Sequence, residues 1–362
     1  MILNIGHKKK VEPVDVAGLA DFIAGIQKAS GEIPWSVGGK TDPWDHVESA
    51  MGLTVAGRCE EARRAYRWMA ETQLPDGSWW SALRNGVVED WTRESNFAAY
   101  IAVGVFHYFL VTRDRSFLRQ MWSTVRAGID FALGMQAPTG EIYWAQNREG
   151  AVDRTALLTG SSSIYMSLKC ALAVAFLVGE KRADWHAALQ RLGYAIRNLP
   201  NHFNMIKSRF SMDWYYPILC GAVAGEEARQ RIHRHWDKFA VPGWGIRCVS
   251  DRPWVTMAET SELVLSLVAI DAYREAETVF SWIHDKRYAD GSYWMGVTFP
   301  DTVVWPDEKT SWTAAAVLLA QDALNRLTPG NRLFSHSFWN GFWSGSGKDS
   351  KNIVERFQAL YR

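Results

Sequence analysis

Three stretches place acids beside large aromatic rings where a helix would begin. They are Asp42-Pro43-Trp44-Asp45-His46-Val47-Glu48, Asp90-Trp91-Thr92-Arg93-Glu94-Ser95-Asn96 and Met212-Asp213-Trp214-Tyr215-Tyr216-Pro217. Further acids precede or open later apolar segments: Glu149 and Asp153; Asp251, Glu259 and Glu262; Asp301, Asp307 and Glu308. Asp and Glu favour helix N-termini as caps and dipole partners, and most of this set reads that way. More than ten carboxylates around one mouth exceed what capping needs. Glu94, Glu259 and Glu262 read as lying within apolar helices, where burial raises a carboxyl pKa. A carboxyl kept protonated beside one kept ionised is the pair that glycosidic-bond hydrolysis uses. The candidate acids are Glu94, Asp153 and Asp213; the candidate bases are Glu259, Asp307 and Glu308. Asp213 comes first, because Trp214, Tyr215 and Tyr216 surround it and Pro217 constrains its helix.

The aromatic residues gather at the same places. The chain has 19 Trp in 362 residues, and twelve of them fall in the segments leading to, or the first turn of, apolar helices. Core packing alone would spread Trp over both ends. One-sided enrichment suggests the floor and walls of a ligand site with flat apolar faces. Trp44, Trp80, Trp91, Trp144, Trp214, Tyr215, Tyr216, Trp254, Trp294 and Trp305 are the candidate substrate-binding rings. Asp45, His46, Arg93 and Arg252 are the polar candidates beside them. An Arg there either fixes a neighbouring carboxylate or binds an acidic sugar, and His46 beside Asp45 has the makings of an acid/base.

The elements that must position these residues alternate in kind. Segments 58–72, 225–238 and 271–287 each carry seven charged residues and read as amphipathic helices. Segments 96–111, 164–178, 255–270 and 312–320 are apolar nearly all round, so they must be covered on all sides. Outer-type helices are expected to begin near 13, 58, 115, 183, 226 and 272, and inner-type helices near 44, 92, 155, 212, 255 and 309. No long segment alternates with period two, so strands are expected only as small hairpins in loops. Six such pairs imply a closed repeat: an all-α (α/α)6 barrel over 13–327, with an N-terminal arm over 1–12 and an aromatic tail over 328–362. Turns with Gly before an aromatic ring, such as Asp76-Gly77-Ser78-Trp79-Trp80 and Asp290-Gly291-Ser292-Tyr293-Trp294, lead from outer to inner helices. They should therefore share one end of the barrel. The tail rings Phe338, Trp339, Phe342 and Trp343 are expected to pack back onto the barrel.

Composition narrows the function classes. Hydrophobic residues make up 48% and charged residues 22%, which supports a large core and excludes a disordered chain. A net charge of +1 argues against a nucleic-acid partner held by bulk electrostatics. Four dispersed cysteines, Cys59, Cys170, Cys220 and Cys248, fit a reducing compartment and form no metal motif. The opening MILNIGHKKKVEP lacks the long apolar stretch of a secretory signal, so a cytoplasmic location is expected. The two longest apolar runs read as buried helices, not membrane spans. No metal or cofactor site is expected, and the expected partner is a carbohydrate substrate.

Three stretches carry a resemblance. Arg93-Glu94-Ser95-Asn96, Ala156 to Leu177 with Gly160-Ser161-Ser162-Ser163, and Lys309-Thr310-Ser311-Trp312-Thr313-Ala314-Ala315-Ala316 are similar to inner-helix segments of the six-hairpin glycosidase superfamily, which includes glucoamylases. The resemblance implies an (α/α)6 toroid and hydrolysis with inversion, with an acid before the third inner helix and a base before the sixth. The paired Trp-Glu-Glu of that family is replaced here by Glu149 and Asp153. A second likeness is Trp68-Met69 … Gln73 … Gly77-Ser78-Trp79, with a looser copy at Trp282 … Gly291 … Trp294. It resembles the QW repeat of squalene-cyclase-like toroids, and would imply terpenoid or prenyltransferase chemistry with aromatic walls for carbocations. The chain lacks the DxDD and DDxxD motifs of that chemistry. A histidine-based sugar epimerase and a non-catalytic glycan-binding barrel are the remaining alternatives.

Overall fold

The computed structural model describes residues 14–343. The expected N-terminal arm and residues 344–362 of the expected tail lie outside the described residues.

The described chain runs through six helix pairs. They are α1 (Val16–Ile26) with α2 (Pro43–Val55), α3 (Cys59–Thr72) with α4 (Ser95–Thr112), and α5 (Arg115–Leu133) with α6 (Leu158–Val178). Then come α7 (Ala183–Asn198) with α8 (Ser211–Leu219), α9 (Gly225–Phe239) with α10 (Met257–Ala269), and α11 (Tyr273–Ser281) with α12 (Ser311–Asn325). The second member of each pair packs on the next second member, α2 on α4, α4 on α6, α6 on α8, α8 on α10 and α10 on α12. Finally α12 packs on α2. The ring is closed, as the alternation of helix types requires, and the fold is an (α/α)6 toroid.

The composition of each helix follows from its place. Every residue of α2 and of α10 is buried, whereas α9 buries only Ala228, Ile232 and Phe239. The helices α4 and α6 are long and apolar enough to cross a membrane, but as inner helices they are mostly covered by protein. At the closure, a side chain on Gly52 of α2 would meet the Ala315 Cα of α12 at 3.0 Å. Small residues thus let the first and last inner helices approach.

A repeated stitch joins the outer helices. Gln27, Gln73 and Gln136, at or just past the ends of α1, α3 and α5, each donate two hydrogen bonds through Nε2. One goes to a carbonyl four residues on, at Gly31, Gly77 and Gly140, at 2.9–3.0 Å. The other goes to a carbonyl on the next outer helix, at Glu61, Thr124 and Ala188, at 2.9–3.0 Å. The Gln-to-Gly part of the QW likeness is therefore a seam between neighbouring outer helices. It joins α1 to α3, α3 to α5 and α5 to α7.

Among the described residues, strands occur only in the outer-to-inner connections. There β1 (Ala82–Arg84) pairs with β2 (Val87–Asp90), and β3 (Arg93–Glu94), β4 (Tyr143–Gln146) and β5 (Val152–Ala156) form a second sheet. A third contains β6 (Ala240–Val241), β7 (Gly245–Arg247), β8 (Trp254–Thr256) and β9 (Gly296–Thr298) in that order. All pairings are antiparallel. The second sheet stands over the start of α4 and α6, and the third over the start of α10 and α12.

The opposite end is closed by the tail. After α12, α13 (His336–Trp343) lays Trp339 against Phe106 of α4, with ring centroids 5.8 Å apart, and under the Lys169 ammonium of α6 at 4.7 Å. His336 Nε2 lies 2.6 Å from the Ile218 carbonyl of α8. The described part of the tail thus packs on its own barrel; the side chains of Phe342 and Trp343 lie outside the described residues.

Candidate active site

The mouth holds two acidic pairs with one spacing. Asp45 and Glu48 lie three residues apart in the first two turns of α2; Glu259 and Glu262 do the same in α10. Three residues of helix raise the second acid about 4.5 Å above the first along the axis and keep it on nearly the same face. The four carboxylates therefore form an upper pair at the mouth, Asp45 and Glu259, and a lower pair one turn deeper, Glu48 and Glu262. Exposure follows depth: 8% and 4% for the upper pair, 2% and 1% for the lower.

The start of α2 is built for this. Pro43 fits the first helical turn, where its missing N–H costs nothing, and Asp42 caps it by accepting the Asp45 N–H at 2.9 Å. Lys40 lies 3.6 Å from Asp42. Burial first, then the neighbouring Asp42 and Glu48, push the Asp45 carboxyl well above the usual range. Burial likewise pushes Glu48 up to about 7, against the hydrogen bond donated by Trp44 Nε1 at 3.0 Å.

Both oxygens of Glu262 in the lower pair are engaged. Tyr215 and Tyr216 of α8 donate their hydroxyls to the two oxygens of Glu262, at 2.5 and 2.6 Å. Burial and the charge of Glu48 push Glu262 well up. Trp44 stacks on Tyr100 at 4.9 Å and meets Tyr216 at 5.6 Å, walling the lower pair with rings. Glu259 accepts from the Thr256 hydroxyl and interacts with the Cys248 thiol. Burial and the Glu259 charge hold that thiol protonated.

The other expected acids are placed differently. Glu94 precedes α4 in strand β3 instead of lying within a helix; burial, then Asp42 and Asp90, raise it to about 7. Asp213 is buried, and burial raises its carboxyl pKa, but it is engaged in capping. Its carboxylate accepts from the Thr159 N–H at 3.1 Å and hydroxyl at 2.6 Å, capping the first turn of α6 from the neighbouring helix. Pro217 has no N–H to give the Asp213 carbonyl, and Arg231 of α9 serves that carbonyl at 2.7 Å. The proline thus reports a freed backbone acceptor. Asp153 is exposed and held low by hydrogen bonds, first from the Trp144 indole and then from Thr155. Asp307 is exposed and accepts from Tyr288 at 2.8 Å, and Glu308 accepts from the Ser36 hydroxyl.

Several expected binding residues have other work. His46 is buried with both nitrogens engaged: the Ile33 N–H reaches Nδ1 at 3.0 Å, and Nε2 lies 3.0 Å from the Ala65 carbonyl. It joins α2 to α3 and does not face the mouth. His107 lies toward the tail end of the barrel, against Gly330, so neither histidine of the inner helices serves an epimerase. Trp214 is buried against Phe239 at 5.3 Å and donates to the Arg231 carbonyl at 2.9 Å. Trp294 packs half-buried against the main core. Tyr215 and Tyr216 hold Glu262 instead of offering an open ring. Arg252 is exposed on the turn before β8. Arg93 pairs with Asp76 and Lys309 with Asp290, so both basic side chains are committed to acids. The expected rings on the rim are Trp80 with Trp91, 4.9 Å apart, and Trp254 with Trp305, 5.3 Å apart. Glu48, Tyr100 and Trp312 belong to the site without having been singled out. The shared Asp-x-x-Glu and Glu-x-x-Glu spacing at two helix starts was the signal for the lower pair.

No protein-family model matches the chain. It is 55% identical over 315 residues to the MMP endo-(1,4)-3-O-methyl-α-D-mannosidase of Mycolicibacterium hassiacum, covering 87% of each chain. Among solved structures it is similar to a glycosidase variant in complex with glucose, with TM-score 0.65, 16% identity, and 87% of this chain and 99% of the other covered. A D-mannose isomerase superposes with TM-score 0.67 at 10% identity, over 86% of this chain and 96% of the other. A GH63 mannosylglycerate hydrolase from Thermus thermophilus does so with TM-score 0.65 at 10% identity, over 84% and 99%. These three share the toroid.

Proposed function

The chain belongs to the family of the M. hassiacum endomannosidase and is a glycoside hydrolase; from that premise we propose that it cuts internal (1,4) bonds in chains of 3-O-methyl-α-D-mannose. The observation that carries this reading is 55% identity held over 87% of both chains. A neutral methylated sugar also suits a mouth rimmed by indoles in which Arg93 and Lys309 are already paired with acids.

In this reading the upper pair does the chemistry. Asp45, kept protonated by burial and its acidic neighbours, donates to the glycosidic oxygen as the bond to the anomeric carbon breaks. Glu259 takes a proton from the water that attacks that carbon from the opposite face. Asp45 ends as carboxylate and Glu259 as acid, and solvent exchange restores both. Glu48 and Glu262 are positioning residues: the Glu48 carboxyl helps keep the proton on Asp45, and Glu262 is tied down by two tyrosines. The upper pair is preferred because it is the more exposed at each helix.

The test is incubation with α-(1,4)-linked 3-O-methylmannose oligosaccharides and their unmethylated counterparts, with products read by mass spectrometry. Internal cleavage of the methylated chain supports the reading. Stepwise release of single sugars, or no cleavage of either, refutes it.

A further inference from the structure

The closed ring fixes which rim elements face each other. Counting inner helices from α2, α4 is the second and α10 the fifth, and these stand opposite in a ring of six. Trp80 and Trp91 flank the β1–β2 hairpin just before α4; Trp254 opens the last strand before α10, and Trp305 is tied to it from the loop before α12. Each side is therefore a pair of indoles at the mouth.

Both pairs are braced by neighbours and still leave one ring partly exposed. Trp91 meets Trp80 edge-on at 4.9 Å and carries the Arg148 guanidinium at 4.0 Å, yet it remains 39% exposed. Trp254 donates its Nε1 to the Trp305 carbonyl at 2.6 Å and meets that ring edge-on at 5.3 Å, while Trp305 remains 57% exposed. Leaving two indoles this exposed forfeits burial that a merely structural Trp would take. Charge links the acids of the two sides: Asp42 acts on Glu94 before α4 and on Asp45 of α2, and Glu48 of α2 acts on Glu262 of α10.

We propose that Trp91 and Trp305 are two outlying sugar platforms, one on each side of the cleavage point, that bind distant residues of one extended glycan chain. The inference rests on the glycosidase reading and deepens it. A single-sugar or chain-end enzyme needs one platform; two opposed platforms fit a chain that passes through. Indole faces suit methylated sugars, whose methyl and ring C–H groups offer apolar surface and no charge. Trp80 and Trp254 act through them, as positioning residues.

The experiment measures binding of short and long α-(1,4)-linked 3-O-methylmannose oligosaccharides by calorimetry, alongside cleavage, for the wild type and for Trp91→Ala, Trp305→Ala, Trp91→Phe and Trp305→Phe. In the wild type, affinity should rise from short to long chains. Each Ala variant should lose about tenfold on the long chain and most of the gain with length, and each Phe variant should recover part of it. The Ala variants should also shift the cleavage position along the long chain, in opposite directions. Equal losses on short and long chains, or long-chain affinity unchanged in both Ala variants, would overturn the proposal even if the wild type cleaves. Length-dependent binding by the wild type that is lost in the variants, with no cleavage, would keep the platforms and overturn the substrate reaction. No length dependence in the wild type would overturn the platforms outright.

Discussion

The seam between outer helices can be tested at Gly77. Its φ of +92° lies in the left-handed region, and a Cβ there would stand 2.2 Å from the Ala127 carbonyl oxygen of α5 and 2.5 Å from its carbon. Gly57 has φ +78° but nothing within 4 Å of its Cβ position. The two substitutions to Ala therefore separate two effects. Gly57→Ala carries the conformational term alone, about 1 kcal/mol. Gly77→Ala adds a backbone overlap of more than an ångström that only separation of α3 from α5 relieves. That separation also stretches the Gln73 bonds to Gly77 and Thr124. Losing two such bonds to poorly solvated carbonyls costs about 1–3 kcal/mol each. Gly77→Ala should thus cost about 3–7 kcal/mol in urea unfolding, against about 1 kcal/mol for Gly57→Ala. Equal losses would show that the close approach to α5 contributes nothing and would refute the seam.

Three further expectations follow from the same geometry. Glu48 and Glu94 titrate at 4.5 in the unfolded chain and about 7 in the fold, so the folded state holds extra protons between those values and loses stability as pH rises through them. Glu94→Gln should flatten this fall and add roughly 3 kcal/mol above pH 7, read from urea midpoints across pH; an unchanged slope would contradict the burial argument. Because the Glu48 carboxyl helps keep Asp45 protonated, Glu48→Gln should move the alkaline limb of kcat/KM to lower pH, and an unmoved limb would remove Glu48 from that role. Trp339→Ala should cost about 3–5 kcal/mol by emptying the tail-end core around Phe106 and Lys169; a loss below about 1 kcal/mol would mean the tail does not close the barrel.

The ring was readable because burial writes itself into composition. Segment 96–111 has no polar face, and 225–238 has a charged one, so their places in the toroid followed. The short strands were not readable: β3 has two residues, too few for any period. The tryptophan count gathered rings toward one end of the barrel, but not all of them are open. Trp79 and Trp214 spend their indole N–H on the Met69 and Arg231 carbonyls, and composition cannot tell such a wedge from a wall. Asp213 drew attention through its aromatic neighbours, yet Trp214 points into packing, Tyr215 and Tyr216 serve Glu262, and the Asp213 carboxylate caps another helix. Glu48 was passed over because acids near a helix start have an ordinary explanation. Only the pairing of α2 with α10 across the lumen gives its spacing meaning, and that pairing is a property of ring closure.

The acid and base assignments separate on an activated substrate. A glycosyl fluoride leaves without protonation, so it needs the base but not the acid. With an α-glycosyl fluoride of a 3-O-methylmannose oligosaccharide, Asp45→Asn should keep most of its turnover while losing about a thousandfold or more on the natural glycosidic bond. Glu259→Gln should lose both. Equal loss on both substrates in Asp45→Asn, or undiminished cleavage of the glycosidic bond in either variant, would contradict the account.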